Sequence, residues 1–205
     1  YRRQRQMCIR DRVCIGKGSG AEMHIRPYEP RDRERMREVC LATATPRVYE
    51  DAALRQWILL MYNDYYTECE PSTCFVAAND ADEAVGYIIS APDYRRYRIR
   101  FLPYLPRIWR CSRSAARNWL FHQVEGRFAR AYPAHLHIDV FPEYQRLGLG
   151  HQLMDALLAA LRAKGVRGVM LGCGKSNGKG NAFYKKYGFT CLGEARGTVL
   201  WGMRP

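Results

Sequence analysis

Between His135 and Gly150 the chain gathers residue types able to move protons and to seat an anion. His135, His137 and Asp139 alternate with Leu136, Ile138 and Val140, the period of a pleated strand with one polar and one apolar face. An imidazole and a carboxylate two residues apart on one face suit general acid–base work. On a central strand such a polar stripe needs hydrogen-bond partners or a cleft, because both faces are usually covered. A structural reading, with Asp139 bonded to backbone and His137 merely packed, stays open beside the catalytic one. His135 and His137 are also spaced as metal ligands could be, but no further Cys, His or carboxylate cluster accompanies them, so no metal is expected.

The elements that must position these groups follow directly. After Pro142, the residues Leu153, Met154, Leu157, Leu158 and Leu161 recur at steps of three and four, an amphipathic helix that must begin near Gly148 to Gly150. Its first amides point outward and carry the positive end of the peptide dipoles, a natural seat for phosphate. Gly148 and Gly150 lack the Cβ that would hold an anion away from the backbone. Downstream, residues 168 to 173 (GVMLGC) read as a buried strand and Asn181 to Gly188 as a short helix ended by glycine.

Gln145, Arg146, Gly148 and Gly150 match the pattern Gln/Arg-x-x-Gly-x-Gly/Ala, and residues 177 to 189, NGKGNAFYKKYGF, match Asn-x6-Tyr-x3-Gly-Phe. On these two motifs, in this order, the chain resembles the GNAT superfamily of N-acetyltransferases, over residues 23 to 203 and most strongly over 135 to 189. Within it, the chain is most similar to the bacterial subgroup akin to the acetyltransferase-like domain of O-GlcNAc hydrolases. The resemblance implies an α/β (α+β) fold: a central mixed, twisted sheet of six to seven strands flanked by helices.

The resemblance further implies acetyl-CoA as co-substrate, a primary amine of a small molecule or peptide as acceptor, and direct attack in a ternary complex. Val140 would bond the pantetheine arm through its backbone. Gln145, Arg146, Leu147, Gly148, Leu149, Gly150 and His151 would hold the pyrophosphate, and Asn177 would contact the cofactor. Tyr184 would protonate the departing thiolate, and Asp139 and His137 would lie near the acetyl group as base or proton wire. No cysteine is needed as covalent relay, although Cys173 lies close to the second motif. The competing reading is an acyl-CoA-binding or regulatory domain without turnover.

At 205 residues with 47% hydrophobic content, the chain has room for one domain with a proper core, expected over residues 23 to 205. No run is long and apolar enough to span a bilayer. Eight scattered cysteines without a Cys-x2-Cys pair suggest reduced thiols and a cytoplasmic protein; a monomer or homodimer is expected. The formal charge of +13 divides into +5 over residues 1 to 20 and +8 over residues 91 to 133. Any polyanion footprint is therefore local, and nucleic acid is not the expected partner.

Residues 1 to 22 show no helix or strand period and are set aside as an unordered or non-native extension. Residues 23 to 28 suit a first strand, and Asp32 can cap a helix bearing Met36, Val39 and Cys40. A longer helix then places Leu54, Trp57, Ile58, Met61, Tyr62 and Tyr65 on one face, with the tyrosines 62, 65 and 66 ambiguous in role. Residues 74 to 78 and 84 to 90 form a hairpin around NDADE. The arginine-rich insertion 91 to 133 is helical from Ser114 onward, with Trp119, Leu120, Val124 and Phe128 at helical spacing. It is longer than an ordinary connection and suits a lid or binding element, or simply a solvated charged face. Thr198 to Met203 is the closing strand, preceded by another over Thr190 to Leu192.

Overall fold

The computed structural model describes residues 23–121 and 125–205; the expected N-terminal extension and Val124 lie outside them. In chain order, β1 (His24–Pro27) leads to α1 (Arg33–Thr43), α2 (Ala52–Leu59) and α3 (Tyr65–Cys69). The hairpin β2 (Cys74–Ala78) and β3 (Ala84–Ala91) follows, then α4 (Tyr94–Arg100), α5 (Leu105–Cys111) and α6 (Arg113–Phe121). The second half is β4 (Ala134–Val140), α7 (Leu149–Ala163), β5 (Val169–Gly174), α8 (Gly178–Tyr187), β6 (Thr190–Ala195) and β7 (Thr198–Met203).

The strands form one seven-stranded mixed sheet in the order β1-β2-β3-β4-β5-β7-β6. Every neighbouring pair is antiparallel except β4 and β5, which run parallel. That central junction is short: only Ala134 with Val169 and His135 with Met170 are in register. Beyond them the two strands part, while β3 follows β4 from Ala91–His135 to Gly86–Val140. The break in the middle of the sheet is what shapes the site.

Helix α7 lies across β1 to β4, and α1 and α3 lie against β3. Leu153, Met154, Leu157, Leu158 and Leu161 of α7 are buried, as the periodicity predicts, and so are Met36, Val39 and Cys40 of α1. Asp32 departs from its expected role. It stands just before α1 but makes no cap bond with its side chain; its carboxylate instead accepts both Arg26 guanidinium nitrogens at 2.7 and 2.8 Å and the Glu29 N–H at 2.8 Å. A bidentate, charge-assisted pair with arginine outweighs one cap.

The insertion is helical earlier than its sequence period suggests. Pro103 and Pro106 sit in the first turns of the short helices at Leu102–Tyr104 and Leu105–Cys111, where a missing N–H and a fixed φ do no harm. Trp119 is buried as expected, whereas Leu120 faces outward. No described helix is long and apolar enough to cross a membrane.

Candidate active site

The polar face of β4 meets α1 to α3. Asp139 stands opposite Tyr87 across the β3–β4 ladder, and directly opposed residues share a face. The Tyr87 hydroxyl donates to Asp139 Oδ2 at 2.6 Å, while the Thr43 hydroxyl, at the end of α1, donates back to the Val39 and Cys40 carbonyls. Burial nevertheless pushes the Asp139 carboxyl up to about 6, against the pull of Tyr87 and Thr43. His137 is driven the other way, to about 4, because its charged form is desolvated. Near neutrality, then, the imidazole is uncharged and the carboxyl is close to its titration point.

One residue joins the two histidines. The Tyr66 hydroxyl lies 2.8 Å from His135 Nε2 and 3.0 Å from His137 Nε2. It is fully buried, as His135 nearly is. Tyr97 of the insertion packs its ring 4.3 Å from that of His135 and accepts the Trp119 indole N–H at 3.1 Å. The inserted helices thus form the back wall behind β4.

Tyr66 reaches this position because the helix is not regular. Leu60–Asp64 makes a π-turn between α2 and α3, and the extra residue rotates everything after it. Tyr65 and Tyr66 turn into the core, whereas Tyr62 is 37% exposed, with its ring edge-on to His137 at 5.2 Å. The single apolar face read from the sequence is therefore split in two.

Where β4 and β5 part, a cleft of about 390 Å³ opens, lined by both strands and by Thr43, Tyr62, His137, Asp139, Cys173 and Tyr184 among others. Asn177 borders it too; its side chain also caps α8 by accepting the Gly180 N–H at 2.9 Å, which starts that helix earlier than Asn181. Burial pushes the Tyr184 phenol upward, with smaller contributions from Cys173 and Asp139, so it keeps its proton. Among the described residues its hydroxyl has no hydrogen-bond partner.

The strand edge and the following turn present backbone donors. Phe141 N–H bonds Val85 on β3, so by alternation the Val140 N–H points to the other edge, where β5 has already diverged. Gln145 Nε2 donates to the Val140 carbonyl at 3.0 Å. Arg146 and Gly148 hold positive φ of 66° and 81°, and the amides of Arg146, Leu147, Gly148, Leu149 and Gly150 find no backbone acceptor among the described residues. The His151 N–H is already taken by Gly148 O at 3.0 Å, and its ring packs on Phe183 and Tyr187 at 5.1 and 5.4 Å. The outward-facing amides end at Gly150.

Of the residues singled out in the sequence, His137, Asp139, Asn177 and Tyr184 converge on one cleft, and Gln145 to Gly148 form an exposed turn past the end of β4 that leads into α7 at the buried Leu149. Tyr87 and Thr43 escaped sequence reasoning, and Tyr66 is legible there only as an ambiguous helix tyrosine. Nothing local marks Tyr87, which reads as one more strand aromatic until it is paired with Asp139.

The model of the acetyltransferase (GNAT) family matches residues 41–189. Among solved structures, SsHAT is 30% identical, with a TM-score of 0.76 over 89% of this chain and 98% of its own. The PaiA N-acetyltransferase of Thermoplasma acidophilum, solved with coenzyme A, is 17% identical, with a TM-score of 0.58 over 89% of this chain and 99% of its own. YncA of Salmonella typhimurium, solved with its cofactor acetyl-CoA, is 17% identical, with a TM-score of 0.54 over 89% of this chain and 93% of its own. At that identity the last two bear on the fold alone.

Proposed function

The chain belongs to the acetyltransferase (GNAT) family, and from its cleft we propose that it is an acetyl-CoA-dependent N-acetyltransferase. It would move the acetyl group to a primary amine of a small molecule or peptide by direct attack in a ternary complex. The observation that carries this reading is the cleft in the β4–β5 gap, where a carboxyl raised to about 6 and a phenol without a partner face the same space. The turn fits a diphosphate: consecutive amides without acceptors, and a glycine at position 148 whose positive φ lets them converge.

When bound, acetyl-CoA supplies an electrophilic thioester carbon and a thiolate leaving group. The protein's part is positioning and proton transfer. The free amides of Arg146 to Gly150 hold the diphosphate, and the Val140 N–H takes up the arm in place of a strand neighbour. An alkylamine with a reference pKa of about 10.4 arrives mostly protonated, so Asp139, ionised above about pH 6, accepts a proton from it. His137, neutral through the same range, hydrogen-bonds the acceptor while Tyr66 holds its ring. Tyr184 delivers its phenolic proton to the sulfur, and the second proton shed by the acylated nitrogen returns to the phenolate. A relay through Cys173 is disfavoured, because burial pushes that thiol up and the thiolate is the nucleophile.

Free thiol release from acetyl-CoA, measured across a panel of amines and peptides, tests the proposal. Acceptor-dependent release supports it. Tight acetyl-CoA binding with no release for any amine would favour the binding-domain reading instead.

Two substitutions probe the assignment of roles. Tyr184→Phe is expected to lower kcat by about ten- to a hundredfold with acetyl-CoA affinity nearly unchanged; an unaltered rate removes Tyr184 from the chemistry. Tyr66→Phe leaves the two imidazoles without their shared partner and should shift the His137 titration seen by NMR, with a fall in kcat of about tenfold. A His137 titration that does not move would mean that its ring is held by packing alone.

A further inference from the structure

A second concavity, of about 570 Å³, lies beside Pro133, just before β4. The length of that strand, roughly 20 Å, separates it from the Gly148 turn. Its charged lining is Arg96 and Arg100 from the insertion, Lys164 and Arg167 from the turn after α7, and Glu70 and Asp93.

Both carboxylates are already engaged. Glu70 takes Arg100 Nη1 at 3.3 Å and the Tyr65 hydroxyl at 3.1 Å. Asp93 caps α4, accepting the N–H groups of Arg95 and Arg96 at 2.8 and 3.1 Å. Arg96, Lys164 and Arg167 have neither an ion pair nor a side-chain hydrogen bond among the described residues. Four cations against two carboxylates leave the lining with a net charge of +2, which a bound anion offsets.

We propose that this hollow binds a small anion carrying two or more phosphate or carboxylate groups. Its volume suits a small ligand, and the guanidinium forks of Arg96 and Arg167 can each grip an oxyanion through two parallel hydrogen bonds, with Lys164 as a further point charge on the same hollow. The positive φ of Gly165, 69°, turns the chain after α7, where the Val166 N–H bonds back to the Leu161 carbonyl, and Lys164 and Arg167 line the same hollow. Part of the positive charge concentrated in the insertion thus acquires a definite site, independent of how the cleft is read.

Because a diphosphate would also seek the Gly148 turn, the test uses the full chain carrying Gly148→Asp, which closes that turn to anions. Inorganic pyrophosphate and then citrate are titrated calorimetrically at low and physiological salt. One saturable site is expected, weakened about tenfold or more by Arg96→Gln with Arg167→Gln and by a smaller factor with Lys164→Gln alone. Arg117→Gln, an exposed arginine of α6 away from the hollow, should leave it unchanged. Binding of pyrophosphate alone assigns phosphate-bearing ligands, and binding of citrate alone assigns polycarboxylates. The proposal is overturned by the absence of a saturable site, by equal loss in the Arg117 variant, or by full retention in the Arg96/Arg167 variant. It also falls if a single-stranded oligonucleotide binds far more tightly with a steep salt dependence, which would mark a surface for polymers.

Discussion

Replacing Gly148 with aspartate should leave a folded chain whose affinity for acetyl-CoA is at least about a hundredfold weaker, roughly 3 kcal/mol. The fold survives because a Cβ built at Gly148 meets nothing nearer than Gln152 Nε2, at 3.8 Å. Aspartate is also among the residues that tolerate a left-handed φ. Binding does not survive, because a carboxylate then stands at the mouth of the five free amides and competes for them with the diphosphate. Gly148→Ala separates the two effects: it adds backbone strain without charge, and about tenfold or less is expected. Calorimetric titration of both variants, alongside their circular dichroism, reads the outcome. A folded Gly148→Asp chain with the wild-type dissociation constant would show that the turn holds no phosphate.

Asp139→Asn should reduce kcat/KM by about a hundred- to a thousandfold, within the range of a lost general base. The pH profile is the sharper readout. In the wild type the rate should rise through about pH 6 as the carboxyl ionises. His137, lowered to about 4, is already neutral there, while Tyr87, Tyr184 and the Cys40 thiol all titrate far above. Stability moves in the opposite sense. Between the ordinary carboxylate value of 3.8 and about 6, the folded chain keeps a proton that the unfolded chain has released. Its stabilising contribution is therefore full below that window and declines as pH rises through 6. The amide introduced by the substitution carries no titrating proton, so both trends should vanish together. If the variant keeps the limb near pH 6, or loses less than about threefold in rate, Asp139 is a structural partner of Tyr87 and another group is the base.

Much of this site could be read from local pattern, and the remainder could not, for identifiable reasons. The alternation in residues 135 to 140 and the leucine stripe of α7 place a strand, a turn and a helix almost to the residue, because each depends on contacts within a few positions. Tyr184 and Asn177 are brought to the cleft by α8 and its cap, again a local matter. Tyr87 and Tyr66 differ: they are 52 and 71 residues distant from the groups they serve, Asp139 and His137, and only strand register and helix phase bring them together. The π-turn is harder still. One added residue rotates the helix after Tyr62, and a wheel drawn at the ordinary period then assigns Tyr65 and Tyr62 to the same side. Asp32 is misread for a related reason, since its partner Arg26 lies on a neighbouring element.

The two register pairs that join β4 to β5 make the seven strands two panels meeting at a narrow hinge, with β1 to β4 on one leaf and β5 to β7 on the other. Asp139 and His137 belong to the first leaf, Tyr184 and Cys173 to the second. The angle between the leaves consequently sets how far the Asp139 carboxyl stands from the Tyr184 phenol. In the roles proposed for them, their alignment belongs to the joined panels rather than to any single side chain.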